Sequence, residues 1–591
     1  MKKVLTVVVL IMCATVAFAG HRNVPKKINT SPWEREYIWP KGQMPDAQPH
    51  QVATMTDELY KPEFKAQTHR EPYLEWYPAP AAEKRNGGCM ILISGGGYET
   101  CCDTRHIINW REHFTDLGFV CVNLVYRTPR PEGLPIYQSA WEDGQRAVRL
   151  IRSQAAERGF DPEKIGAIGM SAGSHMLLLI ATSSQTPAYE RIDNIDDISC
   201  HLNWAVVNAP AYVTTDGESG TPAVFDGYGP NVALSGIFKF DGKTCPMTLQ
   251  HGGQDPYSAN GSTLIYKQLH KMCIPAELHL YPDQPHTVLG ADRVDEFLRQ
   301  MGILGPLEPE VPVMSRFASD SARARYIKEP VWPEGKTPCL QANQWEPYIE
   351  WHFPKKLKTK AIQIVYSGGS YITNTTDGFE AAPARRYLND MGMTVVTLRY
   401  RAPRPEGMPK YITAWQDLQR TVRIVRSKAA EYGLDPSQIG IMGCSAGGHL
   451  TVMGAASSLH QSYLPIDDID RLPCSVQWGI GIYPAYLLND DDGEALNLTR
   501  GCGEGVDLFP EFSFDLATCP MLLLHGDADD VSSMNSVKLW EKLRAMGIQC
   551  ELHTLALRSH CFQGEASPGT GSYNYLERIG EYVRNRVRFD D

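Results

Sequence analysis

The sequence predicts an α/β fold built twice along the chain, each copy a mostly parallel sheet with helices on both faces. Three observations lead there. The stretch Lys164-Ile-Gly-Ala-Ile-Gly-Met-Ser171-Ala-Gly-Ser-His175 is an apolar strand entering a Gly-x-Ser-x-Gly turn, and Met176-Leu-Leu-Leu-Ile180 continues it as a buried helix. The stretch Gln438-Ile-Gly-Ile-Met-Gly-Cys-Ser445-Ala-Gly-Gly-His449 repeats that strand, turn and helix 274 residues later. Around both, strand-like runs alternate with helical ones, the pattern of a parallel sheet covered on both faces.

Composition sets the outer bounds. Of 591 residues, 43% are apolar and 21% charged, the balance of globular protein with material for large cores. Length alone would suggest about four domains, but the repeat overrides that prior. Met1-Lys-Lys3, the apolar run Val4 to Phe18 and Ala17-Phe-Ala19 read as a secretory signal peptide over 1–19. The run is shorter than the about 20 residues a membrane anchor needs, and the large Met12 before Cys13 argues against lipoprotein cleavage. A secreted or periplasmic protein, with no membrane insertion after cleavage, is the expectation. Cleavage would leave 55 Lys and Arg against 68 Asp and Glu, a net charge of −13. An acidic surface without a basic run argues against nucleic acid and anionic membranes and favours an uncharged substrate.

In chain order, Tyr37-Ile-Trp-Pro-Lys-Gly42 is answered by Pro330-Val-Trp-Pro-Glu-Gly335 at a spacing of 293. By Glu71-Pro-Tyr-Leu-Glu-Trp76 against Glu346-Pro-Tyr-Ile-Glu-Trp351 the spacing is 275, so the first copy carries 18 extra residues near Thr54 to Gln67. A surface loop takes such an insertion cheaply. The strand Cys89–Ile93 runs into Ser94-Gly-Gly-Gly-Tyr98, and Ile362–Tyr366 into Ser367-Gly-Gly-Ser-Tyr371, where glycines imply a close backbone approach. Strands Val120 to Tyr126 and Thr394 to Tyr400 each enter an Arg-x-Pro-Arg-Pro-Glu-Gly loop. A helix from Ala140 to Arg158 follows, and Asp143, with Asp417 in its twin, reads as an ion-pair partner for nearby arginines. After the elbow helices come strands Trp204 to Asn208 and Trp478 to Ile482. The segments Pro210 to Phe240 and Pro484 to Phe514, rich in Gly and Asp, then read as loops over a site. Each copy closes with a strand, Met247 to Gln250 or Met521 to Leu524, a His-Gly turn, a helix, a strand and a final helix. The resulting boundaries are 33–305 for the first domain, 306–326 for a proline-stiffened linker and 327–591 for the second.

The chemistry follows from the elbow. A serine hydroxyl is a poor nucleophile near neutral pH and needs a histidine to take its proton and a carboxylate to orient that histidine. In this strand–turn–helix setting the chain order is serine, acid, histidine. The acid should follow the penultimate strand, where Asp255 and Asp529 stand 274 apart in His251-Gly-Gly-Gln-Asp255 and His525-Gly-Asp-Ala-Asp529. Asp527 competes, but Gly253 holds its place in the first copy, and Asp530 is answered by Pro256. The histidine should follow the last strand, which selects His286 and His560, again 274 apart. His175 and His449 lie in the elbow helix, and His251 and His525 read as structural within their turns. The oxyanion of acyl transfer needs the amide after the nucleophile, Ala172 or Ala446, and one from an earlier glycine loop. Gly96 and Gly97 are candidates for the latter in one copy, Gly369 and Ser370 in the other. No His and carboxylate cluster has metal-ligand spacing, so neither metal nor cofactor is expected. Cys200 with Cys245, and Cys474 with Cys519, precede consecutive strands and could form disulfides in an oxidising compartment. The stronger reading makes them small buried hydrophobes.

On these residues the chain resembles two tandem α/β-hydrolase serine esterases of the secreted type. The Trp-Pro-x-Gly opening, the glycine loop, Gly-x-Ser-Ala-Gly and His-Gly-x-x-Asp are similar to those of bacterial acetyl xylan esterase and feruloyl esterase (carbohydrate esterase) domains. The resemblance covers nearly all of the chain after residue 19 and departs from many relatives at Ser94 and Ser367, where those have histidine. It implies acyl-enzyme hydrolysis of esters on plant polysaccharides such as xylan, acetyl first and feruloyl second. A serine peptidase of this fold would usually carry a propeller, and no propeller repeat is present. A binding protein descended from an esterase would have lost triad members, which both copies retain. The surroundings diverge, Tyr98-Glu-Thr-Cys-Cys102 against Tyr371-Ile-Thr-Asn-Thr375, and small, nearly uncharged Ala223 to Ile237 against acidic Asn489-Asp-Asp-Asp-Gly-Glu494. Two active sites with different ester preferences are therefore expected.

Overall fold

The computed structural model describes residues 34–48, 66–67, 71–102, 108–216, 232–287, 290–305, 326–490, 501–564 and 575–590. The expected signal peptide, the linker up to 325 and all of the insertion except Ala66 and Gln67 lie outside the described residues. So do most of the two segments expected to differ over the sites. The chain divides into two compact units. The first runs to Cys245 and adds His251–Gly261 and Gln284–Leu289; the second takes Pro246–Gln250, Ser262–Asp283 and the chain from Gly290 onward.

In the first unit the strands of the large sheet are β1 (Glu34–Tyr37), β2 (Tyr73–Trp76), β3 (Cys89–Ile93), β4 (Val120–Val125), β5 (Ile165–Met170) and β6 (Trp204–Asn208), and Ala66–Gln67 pairs apart from it with Cys101–Cys102. Their order is β1-β2-β4-β3-β5-β6, antiparallel at β1–β2 and β2–β4 and parallel elsewhere. The parallel strands are buried along their whole length, which is why they read as near-continuous apolar runs. Gly166 in β5 is where Trp204 of β6 packs: a Cβ there would lie 1.9 Å from the indole.

Strand β7 (Met247–Gly252) is divided between the units. The second unit contains β8 (Ala276–Tyr281), β9 (Tyr326–Pro330), β10 (Tyr348–His352), β11 (Ile362–Tyr366), β12 (Thr394–Arg399), β13 (Ile439–Cys444), β14 (Trp478–Ile482), β15 (Met521–Gly526) and β16 (Cys550–Leu555). The order is β8-β16-β15-β14-β13-β11-β12-β10-β9, parallel from β16 through β12 and antiparallel at the margins. The last strand of the first repeat thus pairs inside the second unit, His279 opposite His553.

Several element bounds differ from the sequence expectation. The helix placed at Ala140 to Arg158 is Gln138–Ser153 followed by a separate turn, Ala155–Arg158, which Gly159 closes at φ 78. Strands β4 and β12 stop one residue earlier than expected, their ladder pairing ending at Val125 and Arg399, and the hydroxyls of Tyr126 and Tyr400 donate to the carbonyls of Ser94 and Ser367 at 3.0 and 3.1 Å. The described parts of the two long loops contain only single bridges, Thr214 to Leu234 and Leu488 to Leu508.

The Trp-Pro and Arg-x-Pro motifs meet at a buried carboxylate. Arg127 donates from its amide and Nε to Asp143 at 2.8 and 2.9 Å, and Trp39 Nε1 donates to the same carboxylate at 2.7 Å. Arg401, Trp332 and Asp417 repeat the arrangement at 2.8, 2.9 and 2.7 Å. Asp143 and Asp417 therefore lock the loop after β4 or β12 to the following helix.

Candidate active site

Backbone geometry sets each elbow. Ser171 stands between β5 and the helix Ala172–Thr182 at φ 57, ψ −124, and Ser445 between β13 and Ala446–Ala456 at φ 53, ψ −120. Holding an L-residue at such angles costs about 1–3 kcal/mol, which the surrounding packing must offset. Glycine at 173 makes the turn fit: a Cβ there would lie 2.3 Å from the carbonyl oxygen of Ser94. Both serines are largely covered, with 7% and 8% of their surface exposed.

In the second unit one line of contacts reaches the serine. Asp529 Oδ2 lies 2.8 Å from His560 Nδ1, and His560 Nε2 lies 2.9 Å from Ser445 Oγ. Asp529 Oδ1 accepts the Val531 amide at 2.7 Å, which fixes the carboxylate. In the first unit His286 Nδ1 lies 2.7 Å from Asp255 Oδ2, and Asp255 Oδ1 accepts the Tyr257 amide at 2.8 Å. Among the described residues no hydrogen bond joins His286 to Ser171; such contacts are often long in ligand-free sites.

The electrostatics suit a base and its orienting acid. Burial pushes the Asp529 carboxyl up, but hydrogen bonds from His525 and His560 outweigh it and hold it below the usual carboxylate range. Asp255 is held low in the same way by His286 and His251. His560 loses basicity to burial and gains more from the hydrogen bond and charge of Asp529 and from the charges of Glu380 and Asp530, so it lies above an ordinary histidine.

The competing residues are occupied elsewhere. Asp527 accepts the Tyr266 hydroxyl at 2.7 Å and the Ala276 amide at 3.0 Å, a structural role at the foot of β8. His251 and His525 sit beside the Tyr257 and Val531 carbonyls at 2.8 and 2.7 Å, closing their own turns. The four cysteines weighed as disulfide partners, Cys200, Cys245, Cys474 and Cys519, are buried free thiols.

The glycine loops fold back on themselves. Gly96 and Gly97 take φ 134 and 64, and Gly369 and Ser370 take φ 97 and 54. A Cβ at 96 would lie 1.9 Å from the Thr100 carbonyl oxygen. Ala172 and Ala446 begin the elbow helices. Sequence reasoning missed the loop residues nearest Ser171 and Ser445. A Cβ on Gly95 would stand 2.8 Å from that of Ser171, and one on Gly368 2.7 Å from that of Ser445. It also missed the partner of the elbow-helix histidines: the Tyr98 hydroxyl lies 2.8 Å from His175 Nδ1, and Tyr371 repeats this with His449. The signal was the identical spacing of tyrosine and histidine from the glycine loop and the elbow in both repeats.

A doubly built α/β sheet with a serine elbow, an acid and a histidine at the strand ends defines a hydrolase-like architecture. The BD-FAE model matches the chain twice, over residues 76–199 and 349–471. Acetylxylan esterase of Xylanibacter ruminicola is 35% identical over 104 residues, 17% of this chain and 19% of that one. Endo-1,4-beta-xylanase B of Butyrivibrio fibrisolvens is 32% identical over 133 residues, 22% of this chain and 21% of that one. The matched stretches thus span about a fifth of the length of these two curated relatives. Among solved structures, the acetyl ester-xyloside bifunctional hydrolase of Caldicellulosiruptor lactoaceticus aligns over 45% of this chain and 98% of its own, at 23% identity and a TM-score of 0.37. Among the described residues no helix is long and apolar enough to cross a membrane.

Proposed function

We propose that this chain is a carboxylic ester hydrolase acting on carbohydrate esters through two Ser-His-Asp sites, Ser171-His286-Asp255 and Ser445-His560-Asp529. The observation that carries the reading is the line of contacts from Asp529 through His560 to Ser445, at 2.8 and 2.9 Å. Ser445 Oγ attacks the ester carbonyl while His560 Nε2 takes its proton, and Asp529 stabilises the imidazolium. The oxyanion meets the amides of Ala446 and of the loop at Gly369 and Ser370, each such donor being worth about 2.7–4 kcal/mol. Collapse breaks the bond to the sugar oxygen, which leaves with the proton from His560. Water then repeats the sequence on the acyl-serine and releases the acid.

The substrate reading is acetyl esters of plant polysaccharides such as xylan, with feruloyl esters second. Supporting it are the matched BD-FAE stretches and relatives whose names include acetylxylan esterase and xylanase. Secretion is part of the proposal and rests on Met1 to Ala19. The test is acetate and ferulate release from native polysaccharides by the full chain, by Ser171→Ala, by Ser445→Ala and by the double variant. We expect activity from each single variant and none from the double; an active double variant overturns the assignment.

A further inference from the structure

The second site contains a carboxylate that the triad does not use. Glu380 lies under the glycine loop, 8% exposed. Its Oε2 accepts the Gly368 amide at 2.7 Å, and the Tyr483 hydroxyl lies 3.2 Å from its Oε1. A Cβ built on Gly368 would stand 2.7 Å from Ser445 Cβ and 3.2 Å from Glu380 Oε2, so that glycine lies between the carboxylate and the nucleophile. The Tyr483 ring is 4.6 Å, centroid to centroid, from that of His560. Gln563, on the same tyrosine hydroxyl, donates to Cys444 Sγ at 3.3 Å and completes a polar wall behind Ser445.

The first repeat has a different sequence there. Ala209 stands where the second has Tyr483, and at the same spacing of 274 His106 answers Glu380.

We propose that Glu380 is a positioning residue private to the second site. Its carboxylate anchors the Gly368 amide, which holds Gly369 and Ser370 over Ser445, and its negative charge favours the imidazolium of His560 that forms as Ser445 attacks. This rests on the reading of Ser445, His560 and Asp529 as an esterase triad.

The surrounding groups leave this charge distinct. His560 is faced by Asp529, Asp530 and Glu380. Glu380 itself is faced by His560, by Tyr483, and by Cys444, Tyr400 and Tyr575, which feel its charge. Burial pushes the thiol and the three phenols far up, so they stay neutral through the working range. Burial also raises Glu380, against the Gly368 amide, Tyr483 and His560, which lower it.

The experiment uses the full chain carrying Ser171→Ala, so that only the second site turns over, and measures kcat and KM for an acetyl ester against pH. Adding Glu380→Gln keeps an oxygen for the Gly368 amide and removes the charge. The acid limb of kcat/KM should then move down by roughly half a unit to one unit, with KM little changed. Adding Glu380→Asp instead keeps the charge but withdraws it from the amide. The limb should stay high while kcat falls between about 10- and 100-fold. Fluorophosphonate labelling of Ser445 in each variant reports a folded elbow independently of turnover. An active parent whose limb and kcat are unmoved by both changes overturns the role of Glu380 alone. A parent that neither releases acetate nor takes the label overturns the triad reading, and the role of Glu380 with it.

Discussion

The Tyr98 hydroxyl lies 2.8 Å from His175 Nδ1, tying the glycine loop after β3 to the helix that follows Ser171. Burial pushes His175 down to about 3, so it stays neutral and offers this contact at any working pH. Tyr371 and His449 make the same contact at the same distance in the second repeat. A loop meant to hold oxyanion donors needs such an anchor, because its glycines are otherwise free to move.

Removing one hydroxyl from that anchor tests it. Tyr98→Phe and Tyr371→Phe each lose one buried hydrogen bond, about 1 kcal/mol, and leave the ring in place. We expect kcat at the affected site to fall roughly fivefold with KM nearly unchanged. Kinetics in the Ser445→Ala or Ser171→Ala background, which isolates each site, provide the measurement.

The buried ion pairs carry stability rather than chemistry. Asp143→Ala would take one of two carboxylates from the fully buried Arg127 guanidinium, which keeps Glu142 at 2.7 Å, a loss of about 3 kcal/mol or less. Asp417→Ala should cost more, about 3–5 kcal/mol, because the buried Arg401 has neutral Gln416 where Arg127 has Glu142. Denaturant unfolding followed by circular dichroism should show a lower midpoint for each variant.

The second site should be active above, and silenced below, a histidine pKa higher than the ordinary one. His560 must be unprotonated to accept the serine proton, and Asp529 and Glu380 raise it against the burial that lowers it. Activity in Ser171→Ala is therefore lost as pH falls through that raised value. Asp529 is depressed and stays ionised throughout. An acid limb below the ordinary histidine range would contradict the assignment of His560 as base.

Different acyl preferences are expected of the two sites. A few contacts of about 1–3 kcal/mol change preference 10- to 200-fold, and Ala209 against Tyr483 beside the nucleophile is a difference of that kind. Ser171→Ala and Ser445→Ala should show different ratios of acetate to ferulate release from esterified oligosaccharides. Identical ratios would mean that duplication only doubles one activity.

The cysteines should remain thiols. Cys200 and Cys474 donate to the carbonyls of Ser184 and Ser458 at 3.2 and 3.1 Å and are covered by the core. Alkylation under denaturing, non-reducing conditions followed by mass spectrometry should find these two, with Cys245 and Cys519, fully labelled.

The sequence by itself determined the repeated α/β pattern and six candidate residues. Strand and helix periodicity is local, and a nucleophile elbow needs glycines at fixed offsets whatever surrounds it. The register of 274 then separated Asp529 from Asp527 and Asp530 without coordinates. Ion pairing at Asp143 and Asp417 was also legible, but not its partners: these are Arg127 and Arg401 of the preceding loops, while the helix arginines Arg146 and Arg420 pair with Asp193 and Asp467.

Tertiary structure alone decided which distant groups share a wall. Glu380 reaches Gly368 across a loop, Tyr98 reaches His175 across 77 residues, and Trp39 reaches Asp143 across 104. No periodicity links such pairs; sheet order places them together. The same holds for Ala276–Tyr281, whose alternation of apolar residues with Glu277 and His279 marks it as a strand but says nothing of its partner. Backbone hydrogen bonds at a strand edge carry no sequence label, so its antiparallel pairing with Cys550–Leu555 emerged only when the chain was folded.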